Sequence, residues 1–231
     1  GSLYKILAKV LANRIKTVMP KIISVAQSAF IGGRNILDRV LIANEIVEGW
    51  KKNRKRDIVL NLDFERAYDS INWNFLFTML TNYGFRAKWI SWMMECVSTA
   101  RVSILVNGSP TSEFSPQRGL RQGDPLSPFL FNIVAEGLNF LLERAKLLGL
   151  INGAAVGSSA FRISHLQFAD DTILFCEAHW GEVNNLKRIL RWFEVLSGLK
   201  INYHKSVVCG VGLTVEASKE FADKFNCLHQ S

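Results

Sequence analysis

Two adjacent aspartates, Asp170 and Asp171, stand between two apolar segments, residues 161–168 and 172–176, that read as strands. Like charges side by side repel, and a turn needs only one Asp or Asn. Taken alone, the pair is a solvated hairpin tip. A third acid changes that reading. Residues 58–64 form a short, apolar, β-branched run with Asp63 near its end, where a buried carboxylate is costly without a cation. If the hairpin pairs beside that strand, three carboxylates meet at one place. Mg²⁺ takes a few hard oxygen ligands from protein and completes its shell with water and phosphate oxygens. Two such ions stabilise the attacking and leaving oxygens of an in-line phosphoryl displacement.

The rest of the chain alternates helical and strand patterns. Leu3, Leu7, Leu11, Ile15 and Val18 recur at helical spacing, with Pro20 as the expected stop. Asn35 and Asp38 read as an N-cap pair for a second amphipathic helix carrying Ile36, Val40, Ala43, Val47 and Trp50. Residues 73–83 and 87–97 read as helices on either side of Gly84. Asn107-Gly108 predicts a hairpin turn between strands at 102–106 and 112–115. Pro125 and Pro128 open a long helix reaching about Lys146. Val183, Leu186, Leu190, Phe193 and Leu196 mark another, stopped by Gly198. A strand at 206–211 and a helix at 214–225 follow. Helices mixed with hairpins predict an α+β fold with an antiparallel sheet covered by helices.

Composition narrows the function classes. Lys and Arg outnumber Asp and Glu by 28 to 20, a net charge of +8 over 231 residues, which favours a polyanion as partner. Residues 51–56, Lys-Lys-Asn-Arg-Lys-Arg, place five cations in six positions, as a solvated connector, a phosphate-contacting loop or an import signal. Cys96, Cys176, Cys209 and Cys227 have neither zinc-site spacing nor a disulfide framework. They read as reduced thiols in an intracellular protein. No apolar run is long enough to span a membrane, and Lys5, Lys9, Arg14 and Lys16 interrupt any signal-peptide pattern.

A second chemical block is Arg118-Gly119-Leu120-Arg121-Gln122-Gly123-Asp124-Pro125. Its glycines allow close backbone approach, and its cations and amide precede a helix N-terminus, an apt cradle for a nucleotide.

These pieces resemble, in order, the reverse transcriptases of non-LTR (LINE-type) retrotransposons, notably those of plants. The matching segments are Tyr4-Lys5-Ile6-Leu7 through Leu11-Ala12-Asn13-Arg14, Gln27-Ser28-Ala29-Phe30 with Gly33-Arg34, and Leu62-Asp63-Phe64-Glu65-Arg66-Ala67-Tyr68-Asp69. The 118–128 block, His165-Leu166-Gln167-Phe168-Ala169-Asp170-Asp171-Thr172, and Gly198-Leu199-Lys200-Ile201-Asn202 with Lys205-Ser206 complete the set.

The resemblance implies a right-hand polymerase fold. Residues 1–56 would be part of the fingers, 57–211 the palm, and 212–231 the start of the palm–thumb connection. It implies an RNA-directed DNA polymerase acting on an RNA template, a DNA primer and dNTPs, with two Mg²⁺ ions that Mn²⁺ can replace. Asp63, Asp170 and Asp171 would be the metal-binding triad, assisted by a main-chain oxygen at Phe64. Tyr68 would exclude a ribose 2′-hydroxyl, and Arg66 would stand near the triphosphate. Gln122, with Gly123, would lie by the incoming nucleotide. Lys205, or in competition Lys200, would protonate the leaving pyrophosphate, while Asp69 reads as a structural helix-start residue. The family's arginine-bearing segment just before Gly1-Ser2 and the primer grip beyond Ser231 lie outside the sequence. The chain is therefore expected to be a fragment, weak or inactive alone, intracellular, and nuclear at the point of use if its parent element is active. A catalytically silent nucleic-acid-binding remnant is the competing reading.

Overall fold

The computed structural model describes residues 2–156 and 162–230. Gly1, Phe161 and Ser231, which figure in the sequence reading, lie outside the described residues.

The chain begins with α1 (Ser2–Ile22) and α2 (Ile36–Lys52), then β1 (Asp57–Leu62), β2 (Phe64–Glu65), α3 (Ala67–Ser70), α4 (Trp73–Asn82) and α5 (Ala87–Ser98). A hairpin β3 (Leu105–Val106) and β4 (Ser109–Pro110) leads to α6 (Ser127–Leu147). Next come β5 (Ala154–Ala155), β6 (Arg162–Ile163), β7 (His165–Phe168), β8 (Asp171–Glu177) and α7 (Trp180–Ser197). The chain finishes with β9 (Lys200–Ile201), β10 (Val207–Val211), α8 (Val215–Phe225) and β11 (Leu228–Gln230).

The principal sheet has five strands in the order β11-β10-β1-β8-β7. All its pairs are antiparallel except β10 with β11. Strand β1 sits at its centre, and the strand period of two divides its residues between faces. Ile58, Leu60 and Leu62 enter the main core with side chains of α1, α4, α6, α7 and α8. The opposite face packs a smaller cluster in which Trp50 of α2 meets Phe175 of β8 edge-on, ring centroids 5.9 Å apart. Helix α6 is buried almost all round, with Leu130, Phe131, Ile133, Val134, Leu138 and Leu142 fully enclosed. It serves as the axis against which α4 and α7 pack. The fold is α+β, with an antiparallel sheet covered by helices.

Several boundaries differ from the sequence reading, each for a local reason. Pro20 lies inside α1 instead of ending it. So near the C-terminus a proline removes one N–H donor from the ladder, and the turn still closes through Ile23 N–H to the Met19 carbonyl at 3.0 Å. The expected apolar stripe is rotated, because Ala8, Leu11, Ala12, Ile15 and Met19 are buried while Leu3 and Leu7 are exposed. The predicted strand at 58–64 divides at Asp63 into β1 and β2. The strand expected at 112–115 is absent. Asn107 and Gly108 both adopt positive φ, 50° and 83°, which makes a two-residue turn whose strands are Leu105–Val106 and Ser109–Pro110. The strand expected at 161–168 is interrupted at Ser164 between β6 and β7.

Candidate active site

The break at Asp63 builds the site. Strands β1 and β8 pair as far as Leu62 with Thr172, so Asp63 and Asp171 are the next residues along the two strands where the ladder stops. The Asp63 peptide is held from the β9 side. Its N–H donates to Ser206 Oγ at 3.1 Å, and its carbonyl accepts from Asn202 N–H at 2.8 Å. Phe64 then pairs with Ile201 and buries its ring edge-on against Phe193, centroids 6.2 Å apart. Only its backbone is left to serve the site.

Strands β7 and β8 join by the shortest of hairpins. Phe168 pairs with Asp171, leaving Ala169 and Asp170 as the two-residue loop. Asp170 and Asp171 are exposed and Asp63 is half-buried. Burial, followed by the like charges of Asp170 and Asp63, holds the Asp171 carboxyl above the ordinary carboxylate range. The three acids thus share one electrostatic field at the end of the sheet. Among the described residues, no group of three or more His, Cys, Asp or Glu side chains is drawn together as a ready-made metal cage. Three like-charged oxygen donors at a partly solvated edge repel one another, and a divalent cation would offset that repulsion. As hard oxygen donors they suit Mg²⁺ or Mn²⁺ and not a soft metal.

Tyr68 follows in α3, half-buried. Its hydroxyl is pushed above the ordinary value by burial and by the negative charge of Asp170. Its carbonyl accepts from Leu120 N–H at 2.6 Å, while Gly119 N–H donates to the Ile71 carbonyl at 2.8 Å. Trp73 Nε1 donates to the Gly119 carbonyl at 2.7 Å. These bonds bring the 118–128 block beside Tyr68. They also require glycine at 119, where φ is +86° and a Cβ would lie 2.5 Å from the Asp69 carbonyl oxygen. Gln122 and Gly123 are exposed on this loop. The loop is pinned from α1 as well: Tyr4 donates its hydroxyl proton to Asp124, the Arg121 guanidinium lies 4.5 Å from the Tyr4 ring centroid, and Asp124 Oδ1 accepts from Leu126 N–H at 2.9 Å.

A polar cleft of about 640 Å³ opens on one side of Asp63, lined by Asp63, Arg66, Asp69, Arg118, Lys200 and Lys205 among others. Arg66 sits at the start of α3 with φ +44°, a left-handed conformation uncommon outside glycine. Asp69 is inside α3 and is not its cap, since Arg66 occupies the helix-start position. Lys200 and Lys205 line the same cleft, so both competing lysines are brought to it. A second cleft of about 330 Å³ includes Arg39, Asn61, Gln167, Phe168 and Asp171. The structure therefore gathers Asp63, Arg66, Lys200 and Lys205 into one cleft, with Asp170 and Asp171 at its end of the sheet and Tyr68 beside the loop that carries Gln122.

Two roles lie beyond the sequence reading. Arg118, counted there among the cations of the 118–128 block, joins Arg66 and the two lysines in the cleft beside Asp63. Gln27, there only part of a matching segment, contacts the hairpin loop through hydrogen bonds that have no local signal.

The family described as reverse transcriptase (RNA-dependent DNA polymerase) matches residues 2–221. An uncharacterised 149 kDa protein of transposon TX1 from Xenopus laevis is 30% identical over 206 residues, covering 88% of this chain and 15% of that protein. The Pol polyprotein of the type-2 retrotransposable element R2DM from Drosophila melanogaster is 29% identical over 185 residues, covering 80% of this chain and 17% of the polyprotein. Among solved structures, a telomerase from Candida tropicalis in complex with a fragment of telomeric RNA superposes with a TM-score of 0.59 at 15% identity. That match covers 87% of this chain and 32% of the telomerase chain. This chain thus spans less than a fifth of the length of those two relatives.

Proposed function

This chain belongs to the reverse transcriptase family, and from that premise we propose that it is the palm and part of the fingers of an RNA-directed DNA polymerase from a non-LTR retrotransposon. The observation that carries the reading is the placement of Asp63 and Asp171 where the β1–β8 ladder ends, with Asp170 next to Asp171 and a cleft that holds four cations beside Asp63. Asp63, Asp170 and Asp171 would hold two Mg²⁺ ions, or Mn²⁺ in their place, with a main-chain oxygen of Phe64. Such ions supply hydroxyl activation and neutralise charge on phosphoryl oxygens.

The other roles belong to the protein. Arg66 and Arg118, with Lys200 and Lys205, line the cleft beside Asp63 and attract the triphosphate of a dNTP. One of the two lysines donates the proton to the departing pyrophosphate. The Tyr68 ring, fixed against Phe131, occupies the space of a ribose 2′-hydroxyl. Gln122 and Gly123 present an amide and a bare backbone to the nucleotide. Residues 1–56 act as fingers, 57–211 as palm, and 212–231 lead toward a thumb. RNA template and DNA primer are the partners, held by a chain of net charge +8.

Primer extension on an RNA template with dNTPs and Mg²⁺ tests the reading, in a polypeptide that supplies the rest of the polymerase. Extension that disappears in Asp170→Asn supports it. Near-normal extension by that variant overturns it. Binding of RNA or DNA that weakens steeply with salt, with no extension under any condition, would favour the non-catalytic remnant.

A further inference from the structure

The segment around Gln27 is absorbed by none of the roles above, yet it touches the catalytic hairpin directly. Residues 26–29 run alongside β7. Gln167 N–H donates to the Ala26 carbonyl at 2.8 Å, Ser28 N–H donates to the Gln167 carbonyl at 3.1 Å, and Gln27 and Gln167 form a parallel bridge. The Gln27 side chain, fully buried, then reaches past the end of β7 to the hairpin loop. Its Oε1 accepts from Ala169 N–H at 3.0 Å, and its Nε2 donates to the Ala169 carbonyl at 3.2 Å. The same Oε1 accepts from Ala29 N–H at 2.9 Å. One amide group therefore satisfies both main-chain polar groups of Ala169.

Ala169 needs such a partner. It adopts φ +55°, at the first position of a two-residue loop where a turn of this sign ordinarily takes glycine. An L-alanine there is strained and stays only if its surroundings impose the conformation. The next two residues are Asp170 and Asp171. The direction in which both carboxylates leave the hairpin is set by the Ala169 backbone.

Gln27 is itself held in place. The Arg34 guanidinium donates to the carbonyls of Ser24, Gln27 and Ile23, the last two at 2.6 and 2.9 Å. Ser24 Oγ donates to Glu136 Oε2 at 3.1 Å, and Asn139 Nδ2 donates to Glu136 Oε1 at 2.6 Å. The chain of contacts runs from α6 through residues 23–28 to the hairpin tip, with no exposed link at Gln27.

We infer that Gln27 is a positioning residue of the polymerase site, whose side-chain amide clamps Ala169 in its left-handed conformation and so aims Asp170 and Asp171 at Asp63. The inference rests on the polymerase reading of those aspartates and adds a residue that touches neither substrate nor ion.

Two measurements test it, and they fail separately. The first is amide hydrogen exchange on this chain, which needs no activity. Gln27→Met keeps the length and loses both hydrogen bonds to Ala169, together with the one from Ala29. It should speed exchange at Ala169 about tenfold or more while the amides of β1 stay protected. Unchanged exchange at Ala169 overturns the clamp. If Gln27→Met fails to fold, Gln27→Asn, one carbon shorter, gives the same readout. The second is primer extension in the full polymerase. Gln27→Met should lower kcat about tenfold or more with little change in KM for dNTP, and should raise the Mg²⁺ concentration needed for half-maximal rate. Adding Ala169→Gly, which removes the strain at φ +55°, should recover part of the loss. A fall confined to KM, or no recovery by the glycine, overturns the positioning role. Absence of extension in the unsubstituted polymerase would sink the polymerase reading, with the exchange result on Ala169 still standing for or against the clamp.

Discussion

The ring of Tyr68 lies over that of Phe131, with centroids 5.0 Å apart and planes 23° from parallel. Phe131 is fully buried in α6, so the tyrosine is fixed by the most enclosed helix of the molecule. Stacking on a rigid partner turns a side chain into a wall. Removing the wall with Tyr68→Ala should lower the preference for deoxy- over ribonucleotides by about tenfold or more, while Tyr68→Phe, which keeps the ring, should retain it. The ratio of kcat/KM for paired dNTP and rNTP substrates measures this. An unchanged ratio in Tyr68→Ala removes the steric role.

Asp170 is exposed at a hairpin tip. Asp170→Asn should therefore leave the thermal midpoint nearly unchanged and reduce extension by about a hundredfold or more. Circular dichroism and extension on the same sample separate the two effects. Unfolding of the variant would show the carboxylate to be structural.

Gly119 and Gly123 make a matched pair. Both have positive φ, +86° and +80°, but a Cβ at 119 would meet the Asp69 carbonyl oxygen at 2.5 Å whereas nothing lies within 4 Å at 123. Gly123→Ala should cost about 1 kcal/mol from backbone strain alone. Gly119→Ala adds a backbone clash and should cost about 2 kcal/mol or more. Urea denaturation midpoints give the comparison, and equal costs would contradict the close approach of the 118–128 loop to α3.

Glu136 gives a pH signature. Burial in α6 raises its carboxyl to about 7, against hydrogen bonds from Ser24 and Asn139 and the charge of Arg34 that favour ionisation. A carboxyl whose pKa is higher folded than unfolded favours the folded state when protonated. Its contribution is complete below the unfolded value near 4.5 and is lost as pH rises to about 7. Folding stability relative to Glu136→Gln should accordingly fall by about 3 kcal/mol across that window. His165, lowered to about 3 by burial, works in the opposite sense, since stability is lost as pH falls below the ordinary histidine range. For that reason the difference between the two proteins, and not the raw profile, is the measurement. A flat difference from pH 4.5 to 7 would refute the shift.

Much of the fold was legible because its signals are local. Asn35 caps α2 by accepting from Leu37 N–H, Gly198 ends α7 at φ +79°, and Asn107-Gly108 turns its hairpin. Each depends on residues adjacent in the chain. Misreadings arose where a neighbour far along the sequence decided the matter. Leu3 and Leu7 carry a helical stripe, but they stay exposed, and this end of α1 makes its contact with the 118–128 loop through Tyr4 instead. The run at 58–64 has the composition of one strand, yet Asn202 and Ser206 take over the hydrogen bonds of Asp63 and turn it out of the ladder.

By itself the sequence singled out the side chains proposed to carry the chemistry: three aspartates at the ends of apolar runs, a tyrosine five residues beyond the first, and a glycine-rich cationic loop. Their types and short-range spacing are written in the chain, and so is the α+β alternation that brings strands together. Only the tertiary structure decided that the β1–β8 ladder stops at Asp63 and Asp171, that the 118–128 loop hangs on the backbone of Tyr68 and Ile71, and that a glutamine 142 residues from Ala169 holds the hairpin tip. Such contacts follow from strand register and from hydrogen bonds between buried main-chain groups, which have no signature in residue type because every residue offers the same N–H and carbonyl.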